Sequence, residues 1–287
     1  MKEIIKCPIC QGKNTLKKGL RKTQSRGKIQ KYFCKDCQKY FTIDDGFKGM
    51  RTNPKTITMS IDMYLSNLSS RKMRNQLRRH FGVKRSHQTI LNWIYKYVMK
   101  VHNFVEKLGY NLGNDFYADE TMIKRQKHND RFWACVDWKT RMITGIHYSV
   151  AGNPREALEF INKAVKKSKP KFIQTDSAMF YPRAFRKAFY NNKLKCLEVK
   201  HIQNNVSRTK VHNYKIETVF MKIKDRVNDF RGLKALWSAP ILMCGLTIQH
   251  NFIEEHTTTG VNPCNLAGQN LDLGDNRWLG LIRMSLQ

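Results

Sequence analysis

The sequence predicts an α/β core built on a mixed sheet, preceded by a small metal-stabilised module and a bundle of short helices. Three observations predict it. Two Cys-x-x-Cys pairs open the chain, and near Asn53-Pro54 the apolar period changes from two to that of a helix. From about residue 116, three strand-like runs are followed by alternating helices and strands. That order, three antiparallel strands and then helix, strand, helix, strand, helix, is the order of an RNase H-like fold. The expected divisions are 1–45 for the cysteine module, 46–110 for the helices, 111–256 for the core and 257–287 for its C-terminal segment.

The first element rests on Cys7-Pro8-Ile9-Cys10 and Cys34-Lys35-Asp36-Cys37. Four thiolates at this spacing read as the two knuckles of a zinc ribbon, because tetrahedral Zn²⁺ takes all four. Residues 11–33 carry eight Lys or Arg and no acid. So small a segment buries too little surface to fold alone, and the metal is expected to supply its folding energy. A redox-active pair is the alternative, but nothing beside it resembles the strand and helix of a thioredoxin-like unit. Cys135, Cys196, Cys244 and Cys264 lie far apart, in apolar or loop contexts where a thiol behaves as a small hydrophobe.

The helical element begins with Ile57, Ile61, Tyr64, Leu65 and Leu68 on one stripe. Ser69-Ser70 caps a second helix with Met73, Leu77 and Phe81 as its apolar positions, and Gly82 ends it. Ser86 opens a third, with Ile90, Trp93, Ile94 and Tyr97 facing inward. A helix, a short turn containing glycine and a second helix match a helix-turn-helix, although three basic amphipathic helices can also be a plain packing module. In that geometry Arg85, Ser86, His87, Gln88 and Asn92 point into a DNA major groove.

A linker near 106–114 leads to strands at 116–120, 132–137 and 142–148, the last two joined by the hairpin-length Lys139-Thr140. A helix over 155–167, a strand over 171–176, a helix over 181–190, a strand near 197–200 and a helix over about 214–230 complete the core. Asp119 is expected to end the first of these strands and Asp176 the fourth, which are neighbours in such a sheet. Glu217 on the last helix can come across to meet them; Glu198 and the pair Glu254-Glu255 compete for that place. Three converging carboxylates repel one another unless they hold divalent cations. Two Mg²⁺ (or Mn²⁺) ions there serve an in-line phosphodiester displacement. Glu120 is expected on the opposite face of the sheet from Asp119, hence not a ligand.

Charge supplies the partner. The formal balance is +31, with 53 Lys or Arg against 22 Asp or Glu, and residues 1–111 hold 25 of these bases and only 6 acids. A folded chain with this much self-repulsion implies a polyanion, and double-stranded DNA is the expected one. An anionic membrane is the rival, but no apolar run reaches the ~18–20 residues of a span. The start has no signal-peptide pattern, so a cytoplasmic, nucleoid-associated location is expected.

Ala118-Asp119-Glu120-Thr121 resembles the "DET" motif of prokaryotic insertion-sequence DDE transposases, and Thr175-Asp176-Ser177 resembles their second "TD" element. Ile216-Glu217, followed by Lys222, Lys224, Arg226 and Arg231-Gly232-Leu233-Lys234, is similar to the third. His250-Asn251-Phe252-Ile253 and the stretch from Pro263 to Ala267-Gly268 resemble the C-terminal segment of the same enzymes, in particular the insertion sequence six family. Val211 to Ile216 and Thr218 depart from the usual surroundings of the third acid, and Asn204-Asn205 stands too far upstream to supply them. The resemblance implies an integrase-type core that cleaves and joins DNA at inverted terminal repeats, with Asp119, Asp176 and Glu217 as catalytic metal ligands. It also implies Lys222, Lys224 and Arg226 on DNA, and at least two protomers to bring two ends together. A transposase-derived regulator without catalysis, and a nuclease that cuts without joining, are the alternatives.

Overall fold

The computed structural model describes residues 5–204, 214–229 and 235–286. In the cysteine module, strand β1 (Thr15–Thr23) pairs antiparallel with β2 (Gly27–Cys34), which pairs with β3 (Tyr40–Thr42). Among its described residues only Cys7, Tyr32, Cys34 and Phe41 are buried, while Leu16 and Leu20 on β1 lie exposed. Three strands are present, yet no apolar core of useful size joins them.

Helix α1 (Pro54–Leu65) starts where Asn53 accepts a hydrogen bond from the Lys55 N–H at 2.8 Å and proline fills the first turn. Helix α2 (Ser70–Phe81) is capped by Ser69 and ended by Gly82 at φ 62°, a left-handed turn that suits glycine. Helix α3 (His87–Val105) is capped by Ser86, whose Oγ accepts from the Thr89 N–H at 3.1 Å. The inward stripe is as expected, except that Phe81 turns out to solvent: it follows the last buried residue of α2, Leu77, by a full turn.

The core is a five-stranded mixed sheet. Strands β4 (Asp115–Arg125), β5 (His128–Asp137) and β6 (Ile143–Ser149) are antiparallel neighbours. Helix α4 (Pro154–Ala164) leads to β7 (Phe172–Asp176), and α5 (Phe180–Phe189) follows it. A small hairpin of β8 (Tyr190–Asn191) and β9 (Cys196–Leu197) precedes β10 (Lys200–Asn204). The strand expected near 197–200 is thus divided, and its main part lies a few residues later; Cys196, in that exposed hairpin, is not buried like Cys135, Cys244 and Cys264. The sheet order is β10-β7-β4-β5-β6, with β7 parallel to both β4 and β10.

One face of this sheet packs on α4 and α5 around Trp133, Phe160, Tyr181 and Phe185. Trp133 is wholly buried and its indole N–H donates to the Ser149 hydroxyl at 2.8 Å. The other face carries α6 (Tyr214–Asp229) and α7 (Ser238–Ile248), followed by a π-helical turn (Gln249–Ile253), α8 (Pro263–Leu266) and α9 (Arg277–Met284). Buried residues of α1, α2 and α3 belong to the same continuous core as Phe132, Ile143, Phe220 and Leu242. The N-terminal helices therefore lean on the sheet unit instead of standing apart from it. Gly245 of α7 allows this approach, since a Cβ there would meet the Leu65 side chain at 2.9 Å.

Candidate active site

Two parallel neighbours of different length create the site. Strand β7 pairs with β4 only over Asp115–Tyr117 and ends at Asp176, whereas β4 continues to Arg125. Asp119 therefore lies in mid-strand, not at a strand end as the sequence suggested. It is nonetheless open to the site, because its pairing with β7 stops at Tyr117 and, in the same register, β7 ends at Asp176, level with Asp119. Asp176 turns the chain: its Oδ1 accepts from the Ala178 N–H at 3.0 Å, which directs the backbone into α5.

The ligand atoms of Asp119, Asp176 and Glu120 lie within 4.8 Å of one another. Burial first, and then the neighbouring Asp176 carboxylate, push Asp119 up to about 7. A hydrogen bond from the Glu120 N–H at 2.8 Å opposes that rise, while the Glu120 and Glu217 charges add to it. Such crowding is what a divalent cation relieves, and hard carboxylate oxygens are the donors that Mg²⁺ and Mn²⁺ take.

Alternation along β4 holds: Phe116, Ala118 and Glu120 face α4 and α5, and Asp119 shares its face with Ile123 and the core under α6. What alternation could not show is how close Glu120 still comes. Its carboxylate accepts from the Tyr181 hydroxyl at 2.9 Å and from Arg131 at 2.8 Å. Both oxygens are thus engaged, so Glu120 acts as a tie between β4, β5 and the start of α5. Tyr181, five residues after Asp176, is the partner that the sequence pattern gave no signal for.

Glu217 is exposed in the first turn of α6 and stands outside the tight acidic group. Its competitors are occupied elsewhere. Glu198 pairs with Lys169 and accepts from Asn191, Glu254 pairs with Lys222 at 3.0 Å, and Glu255 with Arg277 at 3.5 Å. His201 lies on β10 with its ring stacked 3.8 Å from Phe185 and its Nε2 2.9 Å from the Thr175 hydroxyl; burial lowers it to about 4 and keeps it neutral.

The expected DNA-contacting residues divide. Gln88 and Asn92 are exposed and joined by a 3.0 Å hydrogen bond, and His87 is half-buried beside them. The Ser86 hydroxyl is used as the helix cap, and the Arg85 guanidinium turns back to donate to the Thr52 hydroxyl and the Arg51 carbonyl. Lys222 and Lys224 are exposed on α6. Arg226 is not: it is wholly buried, lies 4.5 Å from the Tyr64 ring and donates to the Leu68 carbonyl. A residue four beyond Lys222 lies on its side of the helix, but there the α1–α2 turn covers that side. Residues 205–213 and 230–234, with the sequence signals around Val211 and Arg231-Gly232-Leu233-Lys234, lie outside the described residues.

The four N-terminal cysteines form a second cluster. Their sulfurs lie within 4.8 Å of one another, with Cys7 to Cys37 at 3.7 Å and Cys10 to Cys34 at 3.6 Å. A tetrahedron with Zn–S near 2.3 Å has edges of roughly 3.8 Å, so this donor set fits zinc. Among the described residues His147, Glu156 and Glu159 also converge, but Lys163 stands 2.9 Å from the His147 Nδ1 and Glu156 takes the Nε2, which makes this an ion-pair network.

The C-terminal motif proves to be structural. The Asn251 amide donates to the Ile143 carbonyl and accepts from the Ile143 N–H, both at 2.9 Å, and Phe252 is buried.

The strand order and the acidic pair together define an RNase H-like, integrase-type core. A family model described as a DDE domain, that of IS240-type transposases, matches residues 113–256. The chain belongs to this family of insertion-sequence DDE transposases. Among solved structures it is similar to the HTLV-2 integrase catalytic core domain in complex with magnesium, at 14% identity and TM-score 0.40, covering 56% of this chain and 99% of that one. The simian T-cell lymphotropic virus intasome matches at 16% identity and TM-score 0.39, covering 69% and 72%, and the BIV integrase core at 9% and 0.36, covering 53% and 93%. No curated protein matches the chain. Among the described residues no helix is long and apolar enough to cross a membrane.

Proposed function

We propose that this transposase binds the inverted terminal repeats of its element and catalyses Mg²⁺-dependent DNA cleavage and strand transfer. The observation that carries this reading is the Asp119–Asp176 pair, crowded enough that burial and mutual repulsion hold Asp119 near 7. Asp119, Asp176 and Glu217 would hold the cations, which supply charge neutralisation for the attacking and leaving oxygens of an in-line displacement. Asp119 is held by its strand and Asp176 by its turn into α5, while Glu120, Tyr181 and Arg131 fix the spacing between them. Fixed carboxylates lower the reorganisation that accompanies phosphoryl transfer.

End recognition is assigned to the start of α3. With Gln88 donating to Asn92, the Gln88 carbonyl and the Asn92 amide remain as one acceptor and one donor, the pair that reads adenine in the major groove. The cysteine module, holding Zn²⁺ on Cys7, Cys10, Cys34 and Cys37, adds basic surface to the same partner. The proposed divisions remain 1–45, 46–110, 111–256 and 257–287, with two or more protomers acting on DNA in the cytoplasm.

The test is strand transfer with short duplexes taken from the DNA flanking this gene: joined products that need Mg²⁺ support the reading, and none in Mg²⁺ or Mn²⁺ removes it. Glu217→Gln should abolish joining while Glu198→Gln leaves it intact; the reverse pattern displaces Glu217. The exposed position of Glu217, outside the tight group, favours a second reading, a DNA-binding regulator that has lost catalysis. Tight binding to the element's ends without cleavage under either metal would select it.

A further inference from the structure

Beginning at Thr218, the residue after Glu217, a cavity of about 400 Å³ opens between α6, the β5–β6 turn and the segment that follows the π-helical turn. Arg141, Lys222, His256 and Thr258 line it beside Trp138, and among the described residues no acidic one does. Glu254 reaches Lys222 at 3.0 Å without lining the cavity. The Thr258 N–H donates to His256 Nδ1 at 3.3 Å, which leaves the ring proton on Nε2 as a donor. Burial first, and then the Arg141 and Lys222 charges, hold this imidazole below its ordinary range, as expected where positive groups converge.

Arg141 supplies an independent observation. Its backbone sits at φ 62°, a left-handed conformation that glycine or asparagine adopts more cheaply. The surroundings maintain it there: His250 Nε2 donates to the Arg141 carbonyl at 2.9 Å, and the guanidinium lies 3.1 Å from the Trp138 ring centroid. A long cation kept where glycine would relieve strain points to a use for its side chain.

We propose that Arg141, Lys222 and His256 form an oxyanion pocket that holds a backbone phosphate of the DNA strand running past the carboxylate centre. This rests on the reading that the chain acts on DNA. A phosphate seated there fixes the register of the strand against Asp119 and Asp176 without reading its sequence.

The experiment measures duplex affinity against salt without divalent cation, so that a chain which binds but never cuts still reports on the pocket. Full-length protein is compared with Arg141→Gly and His256→Gln, on duplexes carrying one neutral methylphosphonate at each backbone position in turn. For Arg141→Gly the slope of log K against log salt should become shallower by about 0.9, the value of one lost phosphate contact. One methylphosphonate position that weakens the wild type should leave this variant unaffected, and Tm should stay level or rise as strain is released. Unchanged slopes in both variants overturn the proposal. So does a fall in Tm for Arg141→Gly together with an unchanged slope for His256→Gln, which would leave Arg141 a structural role only. Thermal stabilisation by inorganic phosphate that disappears in the variants, with the duplex slopes unaltered, also overturns it and assigns the pocket to free phosphate.

Discussion

The cysteine module and the carboxylate centre both gather like groups at one point, but they stand in opposite relations to the fold. Around Cys7, Cys10, Cys34 and Cys37 the described residues include only two others that are buried, Tyr32 and Phe41. Around Asp119 and Asp176 there is a sheet packed on both faces. The burial around the first cluster is too small to account for a stable fold without a metal; the second has a fold that brings the carboxylates together by itself. The lesson is that a metal-binding set by itself does not say which of the two is the scaffold. The amount of apolar surface buried nearby does.

A strong chelator should unfold the first ~45 residues, since thiolate zinc supplies about 10–16 kcal/mol of folding free energy in such modules. The sheet core should keep its Tm and resist limited proteolysis. A core that melts together with the module would mean that the two are one cooperative unit.

The converse holds at the other site. Asp119→Asn or Asp176→Asn should lower nicking on the order of a thousandfold or more, about 4 kcal/mol of barrier, while the metal-free protein stays folded. Stability above pH 7 should rise in Asp119→Asn, because an ionised carboxylate is removed from a crowded site. A fall in Tm at all pH values would show that the aspartate has a packing role. Next in size, altering Gln88 or Asn92 should relax base preference by about 1–3 kcal/mol per contact; competition binding against scrambled duplexes measures it. A uniform loss on every sequence would show backbone contact only.

The folded-state value of Asp119, about 7, lies above its ordinary 3.8. The stability that this group contributes is therefore present in full below about 4 and is lost as pH rises through about 7. Cation binding displaces the same proton, so Mg²⁺ affinity should rise by up to roughly tenfold per pH unit below 7 and level off above it. Calorimetric titration from pH 5.5 to 8.5 checks this, and a flat profile would mean that the carboxylate is already ionised.

Much of this was legible in the residues. The cysteine spacing, the helix starts at Asn53-Pro54, Ser69 and Ser86, and the succession of strands and helices in the core follow from local patterns, because each depends on neighbours a few positions away. The misses are of another kind. Arg226 reads as one more base on a basic helix, and only the packing of α1 and α2 over α6 buries it. Asp119 reads as a strand end because its motif stops there, whereas the opening comes from β7 being the shorter partner. Strand alternation gives the correct face for Glu120, but its tie to Tyr181 spans 61 residues and no period reports it. Local chemistry was readable; what one element does to another was not.

The Asn251 amide bears on a different problem, that of where a sheet stops. Strand β6 is an outer strand, and its free backbone groups are a template on which any passing extended chain could add itself. By matching the Ile143 N–H and carbonyl with one side-chain amide, Asn251 occupies that template at its first residue. For a chain proposed to act on DNA as two or more protomers, this would be a safeguard against polymerisation: neighbours could meet by their faces without their sheets growing into each other.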